Sequence, residues 1–319
     1  MKFFIPTGTT LIGFCMVKTN RDSLVATQVV ARVSHPTLPV QGGFMGNYVT
    51  TWDGKAKLGM GLGGIKYNVR VGSPCFGWPA AESLEPGVAL KEDEGKPTSP
   101  GYQGPGAVAT TFQAVTCIGN KVTVVSGDAK GAEGVVTGKG KGNVLSHFRD
   151  ADLANLSIGD RVKIRAEGVG LEVDGFQGSV FNVSPGFLEA LGPEVSNGVL
   201  TLPAAKEVPA HAMGYGVGGS EAQRGYICIQ SNPPDLVREL GLGDLRIGDL
   251  VALRDTLVSY GKGYHRGAVT VGVVVFGASE VAGNGPGVLA IAASKEGKIK
   301  PRLTRDANVA RYLGLEERA

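Results

Sequence analysis

Short runs of Val, Ile and Thr, interrupted every few residues by Gly, Asn or Asp, dominate the chain. DSLVATQVVARV, YVTTW, YNVRV, NKVTVVSGD, DRVKIRA, LVALRD and AVTVGVVVFG each have the length and β-branched content of a strand, with turn formers at their borders. They predict a mainly β protein. Helical patterning is confined to four short stretches: PPDLVRELGL, opened by Pro234 and closed by Gly241; SPGFLEALG; RDADLANL; and the tail TRDANVARYLGLEER, where Thr304 or Asp306 is placed to cap the first turn. The helices are therefore expected as additions to sheets.

LKEDEGKPTSPGYQGPG, residues 90–106, is charged and then rich in Pro and Gly, without apolar periodicity, and reads as an exposed loop between two lobes. The expected organisation is an N-terminal β lobe over 1–113 and a larger β-rich lobe over 114–319, barrel- or sandwich-like, ending in a helix. The second lobe contains an internal echo. LSIGDRVKIR (156–165) and LRIGDLVALR (245–254) share Leu, Ile-Gly-Asp, Val and a terminal Arg at identical spacing. In each, Gly-Asp is expected to form a tight turn whose aspartate accepts backbone N–H groups before the chain enters a sheet.

Composition narrows the classes. With 319 residues, 42% of them hydrophobic, the chain can bury a substantial core, and its fifty glycines are spread among strand-like runs. A net charge of +3 supplies no global field for nucleic acid or an anionic membrane. The apolar stretch Leu11 to Val17 is broken upstream by Pro6 and Gly8 and is expected to be a buried first strand. No apolar run approaches the roughly 20 residues that span a bilayer, so a cytoplasmic address is expected. Cys15, Cys75, Cys117 and Cys228 lie far apart without a CxxC, the usage of buried, reduced thiols.

SGDAKGAEGVVTGKGKGN, residues 126–143, tests for phosphate binding. A P-loop needs G-x-x-x-x-G-K-[ST], but Gly138-Lys139 is followed by Gly140 and Glu133 stands where the first glycine belongs. What remains is a looser anion nest of backbone amides with Lys130, Lys139 and Lys141. Other glycine-rich segments, LGMGLGGIKYN, MGYGVGG, YGKGYHRG and AGNGPG, mark places where backbone approaches a strand or a ligand closely. His35, His147, His211 and His265 show no local metal-ligand spacing. Glu82 and Glu85 in WPAAESLEPG can present two carboxylates on one turn.

GGIKYNVRVG, EPGV, SGDAKGAEGVVTGKGKG, GYGVGG, LRIGDLVAL, YGKGYHRGAVTVGVVV, AGNGPGV and DANVARYLGL, taken in order, resemble the bacterial and archaeal family catalogued as domain of unknown function 4438. The resemblance runs from about Gly63 to Leu315 and implies no established activity. A second similarity links Gly127-Asp128-Ala129 and Ala132-Glu133-Gly134 to the acetamidases and formamidases. There this chain departs, with Lys130, Val135 and Thr137 where that motif has histidine, aspartate and glutamate. The leading expectation is a hydrolase for an amide or cyclic amide in a cleft lined by glycine loops. Asp128 would position water or a divalent metal, Lys139 or Lys141 would stabilise an oxyanion, and His147 or His265 would transfer protons. Gly127, Lys130, Lys139, Glu85, Asn284 and Tyr264 would contact the ligand, a small polar or anionic molecule. The alternative is a non-catalytic binder of such a molecule, or a scaffold; in either case a homo-oligomer is expected.

Overall fold

A computed structural model describes residues 17–37, 49–59, 61–93, 107–219, 221–259 and 261–315. The chain is mainly β. Six antiparallel strands close into a barrel: β1 (Thr27–Val33), β2 (Val88–Glu92), β3 (Lys121–Val124), β4 (Glu133–Gly140), β5 (Asn143–His147) and β6 (Arg161–Ala166), in the order β1-β2-β5-β4-β3-β6. Alternation sets which side of each strand faces in. Along β6, Val162, Ile164 and Ala166 are buried while Arg161, Lys163 and Arg165 are exposed, and the register of Val29 with Ile164 and Ala31 with Val162 carries β1 into the same interior. Phe112, Val122, Val136, Val144 and Phe148 fill it.

Further strands are β7 (Glu194–Ser196), β8 (Val199–Ala204), β9 (Lys206–Val208), β10 (Ile227–Cys228), β11 (Leu250–Val258), β12 (Lys262–Val274), β13 (Gly287–Ser294) and β14 (Ile299–Leu303), besides two-residue strands at Val49–Thr50, Ala56–Lys57 and Ser179–Val180. One sheet runs β9-β11-β12-β13-β10 and a smaller one β7-β8-β14, with β8 and β14 parallel. Every residue of β13 is buried, because both faces of its sheet are covered. One cluster, with Leu202, Val271, Val273 and Phe187, also takes in Ala89 and Leu145 of the barrel; a second, with Val69, Ile229, Leu253 and Val274, lies on the other side. Barrel and sheet thus share a continuous apolar contact, and β4 is shaped for it. A Cβ on Gly138 would lie 2.8 Å from Val275 Cγ1, so the glycines of this strand admit the neighbouring sheet to close range.

The two Gly-Asp units fold alike. Asp160 Oδ2 accepts the Ser157 N–H and Asp249 Oδ2 the Arg246 N–H, both at 2.8 Å, with Gly159 and Gly248 both at φ +90°. One unit feeds β6 of the barrel, the other β11 of the large sheet. The expected helices form at Asp150–Leu153, Pro185–Ala190, Pro234–Glu239 and Val309–Tyr312. The last is capped by Asn308, whose Oδ1 accepts the Ala310 N–H at 2.9 Å, rather than by Thr304 or Asp306. A helix at Ala107–Val115 lies where none was expected, YNVRV forms no strand, and Leu90 to Glu92, expected in the loop, belong to β2; residues 94–106 of that expected loop lie outside the described residues. The boundary expected near Gln113 falls within the barrel: β1 and β2 precede it and β3 to β6 follow it. The expected strand at Leu11 to Val17 lies outside the described residues except for Val17. Cys75, Cys117 and Cys228 are free and buried. Among the described residues, no helix is long and apolar enough to cross a membrane.

Candidate functional site

The turn between β4 and β5 contains two residues. Gly140 pairs with Asn143, which leaves Lys141 and Gly142 as the loop, at φ +49° and +87°. Positive φ at both positions matches the twist of the flanking strands, and Asn or Gly is the usual choice at the first. A lysine there is unusual and points its side chain out of the barrel toward the large sheet. The ammonium lies 4.7 Å from the centre of the Phe276 ring and 6.0 Å from that of Tyr226. Phe276 stands edge-on to Tyr226, with centroids 4.7 Å apart, and it holds its place because Gly287 has no side chain: a Cβ there would fall 2.1 Å from Phe276 Cζ.

Lys141 borders a cavity of about 370 Å³ whose other walls include Tyr215, Gly216 and Gly219 of the MGYGVGG segment, Glu221, Arg224, Tyr226 and Lys262. Three of the glycine-rich stretches therefore meet here. The Arg224 guanidinium pairs with the Glu221 carboxylate, and Lys262 Nζ donates to the Glu221 carbonyl oxygen at 2.8 Å. The lining thus carries three cationic side chains against one carboxylate, beside two tyrosine rings 6.0 Å apart. Burial pulls the Lys141 amine below the ordinary lysine range, opposed by Cys228, Glu82 and Glu85. Burial likewise raises the Glu82 and Glu85 carboxyls, with Lys141 acting against it in both, and pushes the Cys228 thiol up to about 12. Glu85 is fully buried and satisfied, accepting the Gly63 N–H at 2.7 Å and the Asn143 amide at 2.8 and 3.0 Å. Both oxygens of buried Glu82 lack a hydrogen-bond partner among the described residues.

Of the expected site residues Lys141 lines this cavity, Glu85 is buried behind the hairpin on the Asn143 amide, and the others are scattered. Asp128, Gly127 and Lys130 are exposed on the β3–β4 turn, at the opposite end of β4 from Lys141, about 26 Å away for eight residues at strand rise. Gly127 packs against Asp160, since a Cβ there would sit 2.0 Å from its Oδ1. The expected convergence on Asp128 is therefore corrected: a strand's length separates the two glycine turns of β4. Lys139 does not face a ligand. Its ammonium donates at 2.7 Å to each of Gln113 O, Asn182 Oδ1 and Gln223 O, which uses all three of its protons.

His147 borders a separate cavity of about 480 Å³ with Glu133 and Arg149. His265 and Tyr264 lie on β12; the tyrosine is 70% exposed and the histidine Nδ1 is 3.3 Å from Arg266 O. Asn284 contributes its backbone, its carbonyl oxygen accepting the Ser231 N–H. Among the described residues, no group of three or more His, Cys, Asp or Glu side chains is arranged to hold a metal ion. Arg224 and Tyr226, in EAQRGY, escaped the sequence reading because that stretch has no motif; Tyr215 and Lys262 were within reach, since both sit inside glycine-rich segments.

Comparison with known proteins places the chain. The N-terminal profile of DUF4438, a domain of unknown function, matches residues 48–189, and the C-terminal profile matches 190–313. The chain belongs to the DUF4438 family. The DUF4438 fold is also that of a solved structure, the crystal structure of TM1086, which is 37% identical over 93% of this chain and 99% of that one, with a TM-score of 0.81. No curated protein matches. The similarity of residues 127–137 to acetamidases and formamidases finds no support in these matches.

Proposed function

We propose that this DUF4438 protein binds a small anionic molecule in the cavity between the Lys141 hairpin and the segments 213–219 and 221–226. The observation that carries the reading is the lining: Lys141, Arg224 and Lys262 against the single carboxylate of Glu221, with Tyr215 and Tyr226 offering flat apolar faces. Charged groups gathered at a concave surface focus their field on it and favour a ligand of opposite sign. At about 370 Å³ the cavity suits a molecule of metabolite size.

Amide hydrolysis is the weaker reading, because Asp128, the residue expected to position water, lies at the far end of β4. The test is calorimetry with phosphate and small mono- and dicarboxylates, alongside neutral amides and hydantoins. Binding of anions alone, weakened about tenfold or more when Arg224→Gln and Lys262→Gln are combined, supports the proposal. Turnover of an amide, or anion binding unchanged in the double variant, overturns it. A homo-oligomeric state is a separate proposal, to be read by light scattering.

A further inference from the structure

Four lysines are buried or partly buried around the join between barrel and sheet, and three of them donate to named acceptors. Lys139 has Gln113, Asn182 and Gln223; Lys66 has the Gly63 carbonyl; Lys262 has the Glu221 carbonyl. Lys141 differs. Its Nζ makes no hydrogen bond or ion pair with a described residue, and it lies over the rings of Phe276 and Tyr226. It is held in that position by a left-handed backbone conformation that a residue bearing a Cβ adopts only at a cost, of order 1 kcal/mol or more.

We propose that the Lys141 amine condenses with the carbonyl group of a small oxo acid held in the cavity, forming an imine. This rests on the anion-binding reading, since Arg224 and Lys262 would receive the acid's carboxylate while its carbonyl carbon meets Nζ. The step balances without a co-reactant. The neutral amine adds to the carbonyl carbon, and the carbonyl oxygen leaves as water with the two protons that the nitrogen carried. Burial of the side chain favours the neutral, nucleophilic amine, in the direction of the depressed Lys141 basicity, while the Phe276 and Tyr226 rings act the other way as cation–π partners. Glu82 is close enough for its charge to act on Lys141, but it lines a separate cavity beside Ser279 and has no part in the step.

The full-length protein is incubated with pyruvate, glyoxylate or 2-oxoglutarate and reduced with borohydride, and its peptides are mapped by mass spectrometry. Lactate serves as the carbonyl-free control, and calorimetry records the binding of each acid. The expected result is a reduced adduct on Lys141 about tenfold or more above that on exposed Lys130, absent with lactate and lowered in Lys262→Gln. An oxo acid that binds as lactate does but leaves Lys141 labelled no more than Lys130 overturns the imine and leaves the anion site standing. Failure of every acid to bind overturns both. The deciding comparison, Lys141 against Lys130, is mapped on the unaltered protein, and the Lys262→Gln result counts only when that variant's thermal unfolding matches the wild type.

Discussion

Lys139 offers the sharpest test of how this fold handles a buried charge. The side chain is 0% exposed, and its three acceptors, Gln113 O, Asn182 Oδ1 and Gln223 O, are all neutral. Burial therefore holds its ammonium down at about 8, against 10.5 for an ordinary lysine. The folded-state value lies below the unfolded one, so between them the unfolded chain binds the extra proton. The stabilising contribution is present above about 10.5 and is lost as pH falls through about 8. Raising the pH from about 7 to about 10 should add about 2 to 3 kcal/mol from this residue, at about 1.4 kcal/mol per tenfold change.

The perturbation is Lys139→Gln, which removes the titrating group and keeps two N–H donors for the carbonyl cluster. Urea unfolding of both proteins is measured at pH 7, 8, 9 and 10. Lys66, also held down at about 8 by burial, titrates in both proteins and cancels in the comparison. The wild type should gain about 2 to 3 kcal/mol over the variant across this range. Parallel stability curves would refute the reasoning, showing that the ammonium stays fully protonated in the fold and is solvated as well as water would solvate it.

Three further outcomes follow from close contacts. Gly287→Ala puts a methyl 2.1 Å from Phe276 Cζ; thermal unfolding should show a loss of about 1–3 kcal/mol, and anion binding should weaken as the ring beneath Lys141 shifts. Gly127→Ala, 2.0 Å from Asp160 Oδ1, should destabilise the barrel turn without altering ligand affinity, whereas Asp128→Asn should leave stability within about 0.5 kcal/mol and binding unchanged. Asp160→Ala and Asp249→Ala should each cost about 1–3 kcal/mol in urea unfolding by orphaning a turn N–H. Asp249 should cost more, because it also accepts the Asn308 amide at 2.8 Å.

The class of fold was legible because it rests on local physics. Period-two alternation such as that of Arg161–Ala166 can bury one face only as a strand, and the Gly-Asp pairs at 159–160 and 248–249 form their turns from groups within three residues. Short helices opened by Pro185 or Pro234 were visible for the same reason. Which strands pair was not visible. Nothing near Thr27 announces that it will lie opposite Ala166, or that β1 and β2 will close a barrel with strands beyond residue 113.

The candidate site shows the same division. Glycine-rich stretches could be found by eye, but a missing side chain looks alike whether it admits a strand, as Gly138 admits Val275, or clears a ring, as Gly287 does for Phe276. Two glycine turns a dozen residues apart looked like one wall in the sequence, and an eight-residue strand holds them at its opposite ends. Two lysines two residues apart, Lys139 and Lys141, carry the same side chain; only packing made the first a fully bonded tie and left the second facing a cavity. Local conformation follows from neighbouring residues, whereas a site of this kind follows from contacts among segments about 85 to 135 residues apart, whose energies exist only once the chain has closed on itself.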